Sequence, residues 1–284
     1  MKSLLQMLWP PLPVWKRLDL GVFAVVTYAL VVHWTFTYFQ VTHAQWIGEF
    51  GIVNAVLLGV LLGFRNKEAY DRWWEARKLW GQLINDSRNI AVKVKTFVNP
   101  PEEERRQVGK LVLGFAITLK HHLQGQHDLH RVPGFEAEPV SGRHLPSYIS
   151  TKLYALLHHW HRDKTITDME FLALDTHFKS LLDVCGACER IQKSPVPLSY
   201  RSLLRHGTIL YLMTAPWFLA GDFGYWSAAI VGMIAYFLLG TELTAEDIED
   251  PFGHDGDDLA LSLFCETIRK GQEEILEVSM ETVK

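Results

Sequence analysis

The hydrophobic pattern of the chain shows four long apolar runs, two near its start and two near its end. The first pair covers Asp19–Phe39 and Trp46–Phe64, and the second pair covers Thr208–Ala220 and Tyr225–Gly240. A helix needs about 20 apolar residues to cross a hydrocarbon core of about 30 Å. The pattern therefore predicts four membrane-spanning helices, with Pro216 kinking the third. The last two runs are shorter, and a re-entrant pair is an alternative for them.

The long charged stretch between the second and third runs is also predicted to be helical. Prolines followed by Glu102–Glu104 are typical of a helix start. An amphipathic pattern over 169–193 ends before Ser194–Pro197, whereas 124–148 is rich in Gly, Pro and His and reads as an irregular connection. Nothing alternates like a strand for more than a few residues. The predicted fold class is an all-α membrane protein with a cytosolic helical region.

The basic residues set the predicted orientation. All 28 Lys and Arg residues lie in 1–17, in 65–205 or after 268. Basic groups are costly in hydrocarbon and are retained on the cytoplasmic side, so both termini are predicted to be cytoplasmic. No cleaved signal peptide is predicted. The layout is a cytosolic N-terminus (1–17), transmembrane helices 1 and 2 (18–64), a cytosolic helical region (65–205), transmembrane helices 3 and 4 (206–240) and a cytosolic C-terminal helix (241–284).

Composition adds three exclusions and leaves one question open. A net charge of −4 argues against a nucleic-acid partner, and three cysteines cannot form a disulfide framework. Cys185 and Cys188 lack a second pair and are interpreted as a packed helix face rather than a metal or redox site. The segment 246–259 carries seven carboxylates without EF-hand spacing. A solvated turn, a divalent site and a clasp on a basic face are its three interpretations.

Two groups of histidines could bind a metal but lack carboxylates at helical spacing. They are interpreted as solvated surface. The groups are His121, His122, His127 and His130, and His158, His159 and His161.

The second apolar run carries the most informative pattern. Val56, Val60 and Phe64 are spaced four apart and share one helix face, and Glu49 lies seven residues before Val56 on nearly the same face. A carboxylate inside a span usually faces a bundle interior or water. A small-xxx-small pair, Gly59 and Gly63, is expected to let another helix approach closely. A packed core helix is the plainer interpretation of the same run.

Three motifs in register resemble the bacterial branch of the bestrophin family. They are GFRNKEAYDRWWEARKLWG (63–81), CERIQKSPVPLSYRSLLRHG (188–207) and EDIEDPFGHDGDDL (246–259). The resemblance covers almost the whole chain. It implies a helical homopentameric ion channel in a bacterial plasma membrane, with one pore on the five-fold axis, no catalysis and no cofactor.

The resemblance also implies site residues. Val56, Val60 and Phe64 match a hydrophobic pore neck, and Met169 matches a cytosolic aperture. Animal members hold Ca²⁺ in an acidic clasp, whose counterparts here are Asp250, Asp255 and Asp258. Asp250 stands where animal members have Asn, and Gly256 interrupts the acidic run. Calcium binding is therefore left open.

The resulting hypothesis is a passive channel for monovalent ions whose apolar neck blocks conduction by dewetting. Five copies of Glu49 at the outer mouth would concentrate cations, so a cation preference is expected. Animal bestrophins pass anions, whereas bacterial relatives include cation-permeable members. The alternatives are an anion channel of the same fold, a secondary transporter, or a membrane-anchored enzyme or scaffold. A transporter would need inverted repeats or broken helices, and the sequence shows no internal repeat.

Overall fold

The computed structural model describes residues 13–40, 45–126, 144–254 and 256–280, with side chains described for 16–40, 51–126, 144–254 and 256–280. These residues form helices and no strand, which confirms the predicted class. A π-helical turn, Val94–Val98, follows the second helix. The α-helices are α1 Pro13–Tyr38, α2 Gln45–Lys93, α3 Glu102–Leu123, α4 Leu145–Arg162, α5 Asp168–Lys193, α6 Leu198–Phe223, α7 Trp226–Ile248 and α8 Leu261–Leu276.

The described chain divides into two compact units. The first contains the described parts of Met1–Trp73, Pro195–Asp250 and His254–Asp258. Within it α1 packs against α7, and both pack against α6. The first part of α2 joins this core through Leu58 and Leu62. The other buried members of the core are Ala29, Tyr211, Leu212, Ala215, Ala228, Val231 and Ala235.

Much of the first unit's surface is apolar. Two described helices, Lys16–Tyr38 and Trp226–Ile248, are long and apolar enough to cross a membrane. The other two predicted spans lie within α2 and α6, and the four-span layout stays a prediction. Large apolar side chains are exposed on three helices: Leu20, Phe23, Leu210, Met213, Met233 and Phe237. Such extended apolar surface is typical of contact with lipid or with another chain.

Two helices extend beyond the predicted spans. The link expected at 221–224 is still helical up to Phe223, and the chain turns at Gly224, where φ is 55°. Helix α7 continues to Ile248, eight residues beyond the predicted end of the span at Gly240. Its last two turns are polar yet remain helical, because polarity alone does not end a helix. The stop comes at the Asp-Pro dipeptide that follows.

The second unit contains Trp74–Ser194, Pro251–Gly253 and the described part of Leu259–Lys284. Helix α3 is central and packs against α4, α5 and α8. Its first turn carries three glutamates, as predicted. Helix α5 begins with a capping box between Thr167 and Glu170 and ends at Lys193, before the predicted proline stop.

Helix α4 was not predicted as an element. Its apolar residues Ile149, Leu153, Leu157 and Trp160 follow helical spacing and are buried. The connection predicted for 124–148 therefore ends at His144, which caps the helix by accepting a hydrogen bond from Ser147 N. Pro and Ser in its first turn are also typical of loops, so the sequence did not indicate where this helix begins. Pro is nevertheless common at the first positions of a helix.

The packed-face interpretation of the cysteines is confirmed. Cys185 and Cys188 are 2% and 0% exposed, and both are free thiols, as is the buried Cys265. Burial raises the pKa of Cys185 and of Cys265 to about 12. Burial also raises the pKa of Cys188. Thiols with such pKa values carry almost no nucleophilic thiolate near neutral pH.

We therefore expect none of the three thiols to react rapidly with a water-soluble thiol reagent in the native protein at pH 8. All three should react in denaturant. The matched positive control is Thr151→Cys, because Thr151 is exposed on α4. Fast labelling of the wild-type chain under native conditions would show that the α5 face is not packed as described.

Candidate functional site

Helix α2 has two apolar faces in the first unit, and only one of them is covered. Leu58 and Leu62 are 5% and 3% exposed in the core, whereas Val56, Val60 and Phe64 are 62%, 52% and 62% exposed. We call these last three residues the neck face. Their spacing of four places them on one side of the helix, as the sequence predicts. Their role in a pore stays a prediction.

The expected close approach at Gly59 and Gly63 is not found among the described residues of this chain. A Cβ built on either glycine meets nothing within 4 Å. Close approaches occur elsewhere in the first unit: a Cβ on Gly51 would lie 2.6 Å from the Phe218 ring, and one on Gly232 would lie 2.7 Å from Val26. Both distances are too short for a side chain. The two predicted glycines lie on the uncovered side of α2.

Of three other predicted site residues, only Met169 has a described side chain. Glu49 belongs to α2, so its backbone lies two helical turns before Val56, but its side chain is outside the described residues. Asp255 is also outside them. Met169 is the second residue of α5 and is 75% exposed, so it is uncovered by its own chain. Its part in an aperture stays a prediction.

A buried ion pair follows the neck face directly. Arg65 is the residue after Phe64 and is fully buried, and its Nη2 lies 2.7 Å from Glu249 Oε2. The two side chains are only 1% and 6% exposed. The second oxygen of Glu249 accepts a hydrogen bond of 2.9 Å from Val196 N. The carboxylate thereby joins α2 and α7 to the segment before α6.

The sequence alone does not reveal this pair, because its partners are 184 residues apart. One weak sign in the sequence is that Arg65 is the first basic residue after 18–64, a segment without Lys or Arg. That position does not identify its partner.

The Arg-Trp-Trp motif is also anchored on the acidic segment. Arg72 Nε donates to Glu249 O at 3.3 Å, and Trp73 Nε1 donates to Asp257 O at 3.1 Å. Trp74 is 46% exposed. The prediction of one continuous helix through this motif is confirmed, since α2 runs from Gln45 to Lys93. Trp73 is half-buried, as expected for an indole with a polar partner.

Of the three interpretations of the acidic segment, the structure supports a clasp on a basic face for its first part. Glu246 lies 3.3 Å from Arg201 and 3.2 Å from Arg205, and Glu249 binds Arg65.

For the calcium-clasp counterparts, Asp250 is exposed and Asp258 is half-buried. Within the described ranges, neither of them belongs to a group of three or more His, Cys, Asp or Glu side chains close enough to hold a metal ion. Calcium binding there stays a prediction.

The interpretation of the histidines as solvated surface is wrong for part of the first group. His121 is 8% exposed. His122 Nε2 lies 2.8 Å from Glu189 Oε1, and the His122 side chain is only 15% exposed. The reason is tertiary: the carboxylate partner comes from α5, so no local spacing reveals it. His158 and His159 are exposed, as expected, but His159 Nδ1 lies 3.2 Å from Asp163 Oδ2, so the expected lack of a carboxylate at helical spacing is wrong for this residue. His161 is half-buried, and its Nε2 lies 2.8 Å from Asp168 Oδ1. His127 and His130 lie outside the described residues.

Glu189 itself accepts several hydrogen bonds. Burial alone would raise the pKa of this carboxyl, but hydrogen bonds from Lys193 and His144 lower the pKa to about 2. The carboxylate is therefore ionised throughout the physiological pH range.

Comparison with known proteins decides the family. The model of the bacterial and fungal bestrophin proteins matches residues 12–274. The chain belongs to this bestrophin family. Helices α1 to α7 and most of α8 lie within the matched range, and all three motifs that carry the resemblance fall inside it.

Two cyanobacterial relatives are similar over most of their length. The voltage-dependent anion channel-forming protein alr2987 of Nostoc sp. is 30% identical over 250 residues, covering 80% of this chain and 77% of the relative. The corresponding protein sll1024 of Synechocystis sp. is 32% identical over 238 residues, with coverages of 80% and 77%.

The fold is also that of a solved bestrophin. A bacterial bestrophin homologue from Klebsiella pneumoniae superposes with a TM-score of 0.81 at 24% sequence identity. The superposition covers 93% of this chain and 98% of the homologue. At this identity the likeness establishes the fold of the bestrophin chain.

Removing the Glu249 carboxylate should destabilise the folded chain more than removing one partner of an exposed ion pair. We expect Glu249→Ala to cost about 3–5 kcal/mol in the free energy of unfolding, since the Arg65 charge stays buried without a partner. The matched control is Glu246→Ala, three residues earlier in the last turn of α7 and 31% exposed, for which we expect about 0–1 kcal/mol. Denaturant unfolding in detergent measures both. Equal losses would mean that the buried pair has no special weight.

Proposed function

We propose that the chain forms a passive ion channel: a homopentamer in a bacterial inner membrane, with both termini in the cytoplasm and the neck face lining the pore. The observation that carries the proposal is the uncovered apolar face of α2, opposite a face that is packed in the core. The family supports it, because relatives are named as channel-forming proteins.

In this proposal the neck face works by wetting and dewetting. Five copies of the three residues make three apolar rings about 6 Å apart, given a rise of about 1.5 Å per residue. An apolar constriction conducts when it is filled with water and blocks when it empties. The side chains form no covalent bond and transfer no proton, so no catalytic role is assigned to any of them.

For the ion, we propose a cation preference set outside the neck. The neck face carries no charge. On its inner side the same face of α2 continues with the exposed Glu68, four residues after Phe64. Beside it Lys67 and Asp71 have charged groups 3.4 Å apart, with side chains 74% and 59% exposed. The lysine offsets one of the two carboxylates, so this side of the neck face also keeps a negative charge. On the outer side the helix carries Glu49 without a basic residue in 18–64.

Anion conduction is the second candidate, and the observation that favours it is the naming of both relatives as anion channel-forming proteins. Lys67 would then act as the attracting charge. The two candidates share the fold, the pentamer and the neck, and they differ in the sign of the reversal potential.

Truncation of the neck face should raise single-channel conductance. We expect Phe64→Ala to increase the current more than Val60→Ala, because it removes the larger group from the constriction. Planar bilayer recordings of the purified chain measure both. Met233→Ala is the control, since Met233 is also apolar and exposed but lies on α7. Unchanged unitary currents in both neck variants would place the pore elsewhere, and slow saturable flux without unitary steps would favour a transporter.

The sign of the ion is tested at Glu49. In a KCl gradient we expect Glu49→Gln to move the reversal potential toward that of chloride, with a larger shift at low salt, where screening is weak. Asp222→Asn is the matched control, because Asp222 is an exposed carboxylate on α6, off the neck face. It should produce a smaller shift. A wild-type channel that reverses at the chloride potential would establish the anion alternative and leave the proposed pore intact.

A further inference from the structure

The end of α3, the start of α4 and the end of α5 meet at one carboxylate in the second unit. His122 lies in the last turn of α3, His144 caps α4, and Glu189 lies near the end of α5. Both imidazole Nε2 atoms contact the same oxygen, Glu189 Oε1, at 2.8 Å and 2.6 Å. The three ligand-type atoms all lie within 4.8 Å of one another.

This donor set is characteristic of transition-metal sites. Two imidazole nitrogens and one carboxylate oxygen match a three-ligand zinc site, whose fourth position is filled by water. The set is partly shielded, with side-chain exposures of 15% for His122, 36% for His144 and 21% for Glu189. This partial exposure would let a metal ion enter from solvent, and the surrounding side chains would limit the water in contact with it.

A second shell is also present. Ser147 Oγ lies 2.7 Å from His144 Nδ1. When Nε2 binds a metal, the ring proton resides on Nδ1 and is donated to Ser147 Oγ, as to the outer-shell partners of metal-bound histidine. This bond replaces the helix-capping hydrogen bond of 3.2 Å that Nδ1 accepts from Ser147 N in the metal-free chain. The second carboxylate oxygen of Glu189 accepts from Lys193 at 3.0 Å, and that lysine is 65% exposed and free to move into solvent.

We propose that His122, His144 and Glu189 form a binding site for a divalent transition metal, with zinc as its preferred ion. The metal replaces the two hydrogen bonds that Glu189 now accepts from the rings. Each ring changes to the form protonated on Nδ1, its Nε2 proton is exchanged with solvent, and the Nε2 lone pair binds the metal. Bound metal ties the ends of three helices together. Because it binds the folded state alone, it stabilises the second unit in proportion to its concentration.

Cys185 is a neighbour of this site and is not assigned as a ligand. Its side chain is 2% exposed and its thiol lies 3.9 Å from Glu189 Oε1. It does not belong to the set of donor atoms that all lie within 4.8 Å of one another. This assignment gives the proposal a spectroscopic signature, because cobalt bound by nitrogen and oxygen alone lacks a thiolate charge-transfer band.

The test uses the full-length chain purified with a histidine-free tag, stripped with a chelator and then dialysed against zinc. We expect about one zinc per chain by elemental analysis and a rise in the unfolding temperature on zinc addition. His122→Ala, His144→Ala and Glu189→Gln should each lose both responses. Ser147→Ala should weaken zinc affinity by about 10–100-fold. His158→Ala, on the exposed face of α4, should change neither response.

Cobalt substitution and Cys185→Ser complete the test. Cobalt should bind without a thiolate band, and Cys185→Ser should keep full zinc binding. Wild-type zinc content no higher than that of the His122→Ala, His144→Ala double variant would overturn the proposal. So would zinc binding that survives in the ligand variants. If a ligand variant unfolds when the metal is removed, the comparison of two folded chains still decides the outcome. Wild-type chain that binds zinc no more tightly than Ser147→Ala would then count against the site.

Discussion

The buried pair of Arg65 and Glu249 is the constraint on which the arrangement of the first unit depends. A fully buried guanidinium is tolerated only beside its counter-charge, so the position of Glu249 fixes α2 to α7 one residue after the neck face. The same carboxylate accepts from Val196 N, and its backbone oxygen accepts from Arg72. Glu249 therefore fixes both the rotation of α2 about its axis and its position along that axis, at the point where the uncharged stretch of α2 ends.

That fixed rotation explains why α2 presents its two apolar faces so differently. Leu58 and Leu62 are directed into the core, and Val56, Val60 and Phe64 are directed away from it. An apolar helix face without cover from its own chain is unfavourable in water, so contact with lipid or with another chain is expected there. Assembly of identical chains around an axis would give each copy of this face the same surroundings, which is how closed symmetric oligomers resolve such surfaces.

The sequence predicted helices and their class well, because apolar runs, capping signals and the absence of basic residues are local properties. It placed helix ends poorly where polar residues remain helical: α7 continues through Glu242 to Ile248. Helix α4 was missed, although its apolar spacing is visible in retrospect. The buried pair and the histidine–carboxylate cluster could not be predicted, because their partners are 184 and 67 residues apart. The family resemblance identified the three residues of the neck face. Their exposure could be seen only in the structure, because it depends on which side of α2 packs in the core.

In the proposed channel, the distribution of charge along α2 would separate permeation from selection. From Val56 to Phe64 the helix has no ionisable residue, so this stretch can oppose every ion through dehydration but can distinguish cations from anions only weakly. The buried Arg65 contributes little field along the helix surface, since Glu249 neutralises it at 2.7 Å. Lys67 and Asp71 then oppose each other on the exposed side. Any strong preference for one sign must come from groups beyond this neutral stretch, where a change of one or two residues could reverse it without disturbing the packing that holds the neck.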